Sequence, residues 1–226
     1  MAHLSVRLRI TEGGDPPYDH NFLLGSAVYD VLKRYPQLSS AIHASPRRTP
    51  YVLSEIYRVT GKNGEYWFRF GASNKNLIEL TKKALEDQST IRIGQTAFAV
   101  TATALAEIPC SSGEYLTLSP ILLRDKSTGR SLVFDTPGYE DALEKAIQNQ
   151  ILAYLNLKAQ TRLIHFEALA VRRRTVNGKT FLAQKGRLLL DGPEQELSFL
   201  VDHGIGLSPG MAFGMIIPTE TRGFEQ

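Results

Sequence analysis

The same order of strand and helix patterns occurs twice along the 226-residue chain, and this repetition constrains the fold more than any other feature. In the first half, apolar and polar side chains alternate over residues 4–10, which predicts a half-buried strand. Apolar residues three and four positions apart predict the helices that follow. The predicted elements are a strand at 4–10, a helix at 21–35, a hairpin of 51–57 with 66–70, a helix at 75–87 and one strand at 91–105.

The second half shows the same order of patterns. Its predicted elements are strand-like runs at 116–123 and 132–134, a helix at 137–155, a hairpin of 163–174 with 179–190, a short helix beginning at Pro193, and a last strand at 213–217. The Asn177-Gly178 pair between the hairpin strands is a strong turn signal. The order β-α-β-β-α-β in each half predicts an α+β fold of two ferredoxin-like domains, at 1–112 and 113–226.

The composition is that of an ordinary globular protein, with 42% apolar and 22% charged residues, so disorder is not expected as the main state. Cys110 is the single cysteine, which excludes an internal disulfide and a cysteine zinc site. The N-terminus does not resemble a signal sequence, and no apolar run is long enough to cross a bilayer. These features predict a soluble, cytoplasmic protein.

Positive charge is concentrated in one part of the chain, although the net charge is only +3. Residues 158–187 contain eight basic residues and a single acid, Glu167, so the rest of the chain is net acidic. Such a stripe is typical of a protein that binds a polyanion, although a solvated strand face would look the same. The candidate RNA contacts on the predicted hairpin are Arg172, Arg173, Arg174, Lys179, Lys185 and Arg187.

A glycine-rich stretch near the end of the chain lies between the predicted last helix and last strand. Gly204, Gly206, Gly210 and Gly214 fall within eleven residues. Glycine permits positive φ and lets backbone N–H groups approach a phosphate, but an ordinary turn would use glycine too. The stretch fits neither a P-loop nor a dinucleotide-binding fingerprint, because it has no Lys-Ser/Thr ending and follows no strand directly.

Two tandem ferredoxin-like units with a glycine-rich loop before the last strand resemble the RAMP superfamily of CRISPR-associated RNA-binding proteins. Within it, the chain resembles the Cas6 family of endoribonucleases that cut CRISPR precursor RNA. Gly204-Ile205-Gly206 followed by Phe213-Gly214 has the form of the family's terminal glycine motif, and Leu118-Ser119-Pro120-Ile121 resembles the phrase that opens its second half. Ile42-His43 occupies the place where many members carry a catalytic histidine. The resemblance extends over nearly the whole chain.

The resemblance implies a metal-independent cut in which the RNA's own 2′-OH attacks the adjacent phosphate, leaving a 2′,3′-cyclic phosphate and a 5′-OH. His43, with an ordinary pKa of about 6.5, is the candidate proton carrier, and His20 is its rival. Tyr29 is a candidate for orienting the 2′-OH. Arg47 and Arg48 stand where many members have a lysine, and either could stabilise the transition-state charge. No metal-binding motif is present in the sequence, and no cofactor is expected.

Two other functions fit the same sequence less well. A non-catalytic RAMP subunit would hold CRISPR RNA in an effector complex with the same fold, and only His43 and Tyr29 argue for an enzyme instead. A phosphoesterase or ligase of two-lobed ferredoxin-like architecture would resemble a pair of His-x-Thr/Ser motifs, of which His43-Ala44-Ser45 is a single match. The expected partner is CRISPR repeat RNA, and both contact with other effector subunits and a homodimer stay open.

Overall fold

The computed structural model describes residues 2–36, 49–176 and 178–221, which form two main antiparallel sheets with helices on one side of each. The first half contains β1 (Ala2–Glu12), α1 (Asn21–Leu32), β2 (Val52–Leu53), β3 (Tyr57–Arg58), β4 (Glu65–Gly71), α2 (Lys75–Gln88), β5 (Thr90–Ile93) and β6 (Thr96–Glu107). The second half contains β7 (Gly113–Thr117), β8 (Leu123–Arg124), β9 (Ser131–Leu132), α3 (Tyr139–Leu155), β10 (Arg162–Val176), β11 (Lys179–Asp191), α4 (Glu194–His203) and β12 (Ile216–Pro218). Every helix in these ranges is too short or too polar to span a lipid bilayer.

The two sheets have the same strand order. In the first, the order is β2-β4-β1-β6-β5, with β3 also paired to β4, and in the second it is β10-β11-β7-β12. In the first sheet β1 lies between β4 and β6, and β2 lies outside β4. In the second sheet β7 lies in the same way between β11 and β12, and β10 lies outside β11. This confirms the prediction of an α+β fold with two ferredoxin-like units.

The prediction of one strand at 91–105 is wrong, because the chain reverses within it. β5 and β6 pair antiparallel, with Ile93 opposite Thr96, and Gly94 at the turn has φ +64°. Residues that favour strands occur both before and after this tight turn. The alternation of apolar and polar side chains over 91–105 therefore does not indicate where the chain turns. The first helix is also shorter than predicted, since α1 ends at Leu32 rather than at Tyr35.

Two apolar cores lie between the sheets and their helices, and a third cluster joins the halves. α1 and α2 cover the first sheet, and α3 and α4 cover the second. The joining cluster consists of Val52, Val59 and Trp67 from the first half with Leu118, Met215 and Ile217 from the second. Burial of these six side chains stabilises the contact between the two halves.

Candidate nucleic-acid interface

The candidate catalytic residues are only partly described by the structure. His43, Arg47 and Arg48 lie outside the described residues. Tyr29 is half-buried on α1, and Gly25 lies one helical turn before it on the same face. Burial, and after it the electrostatic effect of Tyr29, raise the pKa of Tyr51 above its ordinary value.

This face of α1 meets the glycine-rich loop. A Cβ added to Gly25 would come within 2.6 Å of the carbonyl oxygen of Gly210, and one added to Gly210 would come within 2.6 Å of Cγ2 of Thr49. Both glycines are therefore required by close packing. The contacts bring together α1, the glycine-rich loop and Thr49, where the chain re-enters the described part of the structure.

The glycine-rich loop is a packed junction in which most backbone groups already have partners. Gly214 has φ +74°, and a Cβ there would come within 1.9 Å of the carbonyl oxygen of Ile205. The N–H groups of Ile205, Gly206 and Gly214 donate to Gly214 O, to Oε1 of Gln150 and to Pro120 O, respectively. Close packing thus explains the glycines at 204, 206, 210 and 214 without any phosphate, and 204, 210 and 214 are buried.

The basic hairpin is formed by β10 and β11, as the Asn177-Gly178 signal predicts, but two of its cations are bound within the protein. Arg174 is 2% exposed, and its Nη2 donates to Oε1 of Glu55. Nζ of Lys185 donates to Oε2 of Glu55 at 2.9 Å and to the hydroxyl of Tyr57 at 2.8 Å. These two residues join the hairpin to the first half.

Glu55 is ionised in this cluster despite being buried. Burial alone would raise its pKa, but the ammonium of Lys185 and the guanidinium of Arg174 outweigh burial and hold the pKa of Glu55 below its ordinary value. A buried carboxylate is stable only with such partners. Glu55 had no role in the sequence prediction, since its partners are more than a hundred positions away.

The other hairpin cations are more accessible. Arg187 donates to Oε2 of Glu167 at 3.0 Å in an exposed pair. Arg173 and Lys179 are exposed, Arg172 is half-buried, and none of these three has a carboxylate within ion-pair distance in the described part of the chain. Arg172, Arg173 and Lys179 are therefore the hairpin cations with charge available to a polyanion.

A cleft of about 290 Å³ lies between the hairpin and the loop that precedes α1. Tyr18 stands at this cleft with 64% of its surface exposed. The Cζ atoms of Arg174 and Arg172 lie 4.5 Å and 5.9 Å from the centre of its ring, within the range of cation–π contact. Sequence reasoning missed Tyr18, because a tyrosine after Pro16-Pro17 in a loop carries no periodic signal.

A hydrogen-bonded group of three residues forms another wall of the cleft. The hydroxyl of Tyr66 donates to Oδ1 of Asp15 at 2.6 Å, and Nη2 of Arg58 donates to Oδ2 of the same carboxylate. The hydrogen bond from Tyr66 and then that from Arg58 lower the pKa of Asp15. The wall thus presents an ionised carboxylate beside a guanidinium.

His20, the rival acid–base residue, also lies at the cleft but is held by the backbone. Its Nδ1 lies 3.0 Å from Pro17 O, and its Nε2 accepts from the N–H of Ile56 at 3.0 Å. The acceptor role of Nε2 places the proton on Nδ1. Burial lowers the pKa of His20, which is consistent with a neutral ring that has both nitrogens occupied.

Comparison with known proteins gives one family model and several relatives. The model described as CRISPR associated protein Cas6, C-terminal, matches residues 107–217. The CRISPR-associated endoribonuclease Cas6 1 of Methanocaldococcus jannaschii is 22% identical in an alignment that covers 91% of this chain and 88% of that protein.

Solved structures show the same fold over nearly the whole length. One described as CRISPR associated protein Cas6 has a TM-score of 0.79 at 20% identity and covers 96% of this chain and 99% of its own. Another, described as an RAMP protein binding different RNA substrates, has a TM-score of 0.78 at 18% identity with the same coverage. At these identities the structural likeness establishes the fold of the two halves.

Proposed function

Because the chain belongs to the Cas6 family of CRISPR-associated proteins, we propose that it is an endoribonuclease that cleaves CRISPR precursor RNA within its repeats. The observation that carries this proposal is the similarity to the M. jannaschii endoribonuclease over most of both chains. The shared tandem fold and the accessible cations of the hairpin support it.

The proposed reaction needs no metal ion. The 2′-OH of the nucleotide before the cut attacks the adjacent phosphorus, the bond to the 5′-oxygen of the next nucleotide breaks, and the products are a 2′,3′-cyclic phosphate and a 5′-OH. A proton leaves the 2′-OH and a proton reaches the departing 5′-oxygen, and His43 is the residue that carries it. Tyr29 orients the 2′-OH. Arg47 or Arg48 stabilises the charge on the phosphate oxygens. The chemistry is therefore general acid–base catalysis with fixed positive charge.

The described residues around Tyr29 support this assignment. Tyr29 shares a helix face with Gly25, which packs on Gly210, and Gly210 packs on Thr49. Arg48 is the residue before Thr49 in the sequence. His43 is preferred over His20, because both ring nitrogens of His20 already have backbone partners.

RNA binding is assigned mainly to the accessible hairpin cations. Arg172, Arg173 and Lys179 contact phosphates, and Arg187 contributes where its exposed pair with Glu167 opens. Arg174 and Lys185 act indirectly, since their charges are bound to Glu55 and hold the hairpin in place. The glycine-rich loop, including Gly204, Gly206, Gly210 and Gly214, shapes the junction beside which the RNA lies.

The reaction class can be tested with labelled repeat RNA in excess EDTA, beside the same RNA with a 2′-deoxy nucleotide at the cut position. We expect cleavage of the first substrate and none of the second, with a 2′,3′-cyclic phosphate on the upstream product. Cleavage that requires added metal ion, or that survives the deoxy substitution, would contradict the mechanism.

The residue roles can be tested with pairs of matched variants. His43→Ala should lower the single-turnover rate by about a hundredfold or more, the usual contribution of general acid–base catalysis, with RNA affinity retained. Loss of cleavage in His20→Ala with full activity in His43→Ala would move the role to His20. Tyr29→Phe should slow cleavage about tenfold. The control is Tyr35→Phe, just after the end of α1, which removes a hydroxyl that is hydrogen-bonded to Asp87 and should not slow cleavage.

The second candidate function is RNA binding without catalysis, and tight binding of repeat RNA without cleavage would indicate it. The structural neighbour described as an RAMP protein binding different RNA substrates has almost the same TM-score as the Cas6 neighbour. Wild-type protein that binds repeat RNA and leaves it intact would therefore be assigned as a non-catalytic RAMP subunit that holds CRISPR RNA.

A further inference from the structure

We propose that the cleft between the basic hairpin and the loop before α1 holds one unpaired nucleobase of the bound RNA, stacked on the ring of Tyr18. This inference rests on the proposed function, since it assumes that the hairpin binds RNA. It adds a recognition site for a single base in a cleft whose lining does not include Tyr29, the candidate catalytic residue on α1.

The ring of Tyr18 is exposed yet held in place. Although 64% of the residue is accessible, Arg174 lies 4.5 Å from its ring centre, and Arg174 is itself fixed by Glu55. The neighbouring backbone is anchored as well, because Oδ2 of Asp19 accepts from the N–H of Thr175 on the hairpin at 2.7 Å. An aromatic ring that is already ordered loses little entropy when a base stacks on it.

The size of the cleft suits one nucleotide. Its volume of about 290 Å³ lies just below the range for small-molecule pockets, about 300–1,000 Å³. The hairpin lies on one side of the cleft and residues 15–18 on the other. A base inside an RNA helix already stacks on neighbours at both faces, so it cannot also stack on Tyr18. The occupant is therefore a base turned out of its stack or in a single-stranded segment.

Charged groups around the ring match the other parts of a nucleotide. Arg172 lines the cleft, lies 5.9 Å from the ring centre and has no carboxylate within ion-pair distance among the described residues, so it is free to contact a flanking phosphate. Asp15, held ionised by Tyr66 and Arg58, offers a hydrogen-bond acceptor to an exocyclic amino group. Adenine, cytosine and guanine carry such a group and uracil does not.

The test uses repeat RNA made uncleavable by a 2′-deoxy nucleotide at the cut position and carrying 2-aminopurine at one position at a time. Stacking on an aromatic ring quenches the fluorescence of this base. We expect quenching on binding at one position or two adjacent ones, its loss in Tyr18→Leu with an affinity about tenfold lower, and its retention in Tyr18→Phe. Phe134→Leu, which removes another exposed aromatic ring outside the cleft, should change neither quantity.

The outcomes separate this inference from the proposed function. Cleavage of unmodified RNA with no quenched position, or quenching that is the same in Tyr18→Leu as in wild type, would refute the stacking site and leave the nuclease intact. A thermal melt of Tyr18→Leu close to wild type would show that lost quenching reflects the ring and not the fold. Failure of the wild type to bind or cleave repeat RNA would refute both.

Discussion

At the scale of single residues, the buried cluster of Glu55 with Arg174 and Lys185 is expected to contribute strongly to stability. Glu55→Gln leaves both cations without a carboxylate, and breaking a buried ion pair in this way typically costs about 3–5 kcal/mol. We therefore expect the free energy of unfolding to fall by about 3 kcal/mol in urea denaturation. Glu12→Gln removes the carboxylate of an exposed pair with Arg92 and should leave the stability nearly unchanged.

The same cluster predicts a pH dependence with a definite sign. The pKa of Glu55 is lower in the folded protein than its ordinary value of about 4.3, so the folded state binds this proton less tightly than the unfolded state does. Its contribution is complete above pH 4.3 and is lost as the pH falls through the folded-state pKa. Urea denaturation should show a full difference between wild type and Glu55→Gln at about pH 7 and a smaller one at about pH 3. An equal difference at both values would contradict the assignment of an ionised Glu55.

At the scale of elements, two glycines allow the cost of a left-handed backbone conformation to be measured apart from the cost of a steric clash. Gly214 and Gly61 both have φ +74°, but a Cβ at Gly214 would come within 1.9 Å of a backbone oxygen, whereas one at Gly61 would meet nothing within 4 Å. Gly61→Ala should cost about 1–2 kcal/mol for the left-handed conformation alone. Gly214→Ala should cost on the order of 4 kcal/mol or prevent folding. Similar melting temperatures for the two variants would contradict the packed junction.

The order of elements could be predicted from the sequence because it depends on short-range patterns. The Asn177-Gly178 turn signal involves two adjacent residues, and the apolar stripe of α3 repeats every three or four residues. The structure has both the hairpin and the helix that these patterns predict. Long-range pairing carries no such pattern. Glu55 is 119 positions from Arg174 and 130 from Lys185. The charge pattern of the sequence therefore could not show which basic residues form buried ion pairs and which are exposed to a ligand.

At the scale of the whole molecule, the cluster that joins the halves predicts cooperative unfolding. Trp67 is the single tryptophan, stacks on Tyr57 with ring centres 4.7 Å apart, and is buried in this cluster beside Ile217. Tryptophan fluorescence and far-UV circular dichroism should therefore report one coincident transition. Ile217→Ala should lower the stability by about 2–5 kcal/mol and shift both signals together. A fluorescence change well before the loss of helix signal would show that the halves come apart first.

The position of β10 has a practical consequence for solubility. This strand of fifteen residues forms an outer edge of its sheet, and Ile164, Leu169 and Val171 on it are exposed. A long apolar edge invites pairing with another molecule, which charged side chains and strand irregularities oppose. β10 has both, since its register shifts twice against β11 and Arg172 and Arg173 follow the apolar residues. We therefore expect both arginines to oppose aggregation. Replacing both by alanine should increase light scattering of the RNA-free protein, and replacing both by lysine should not.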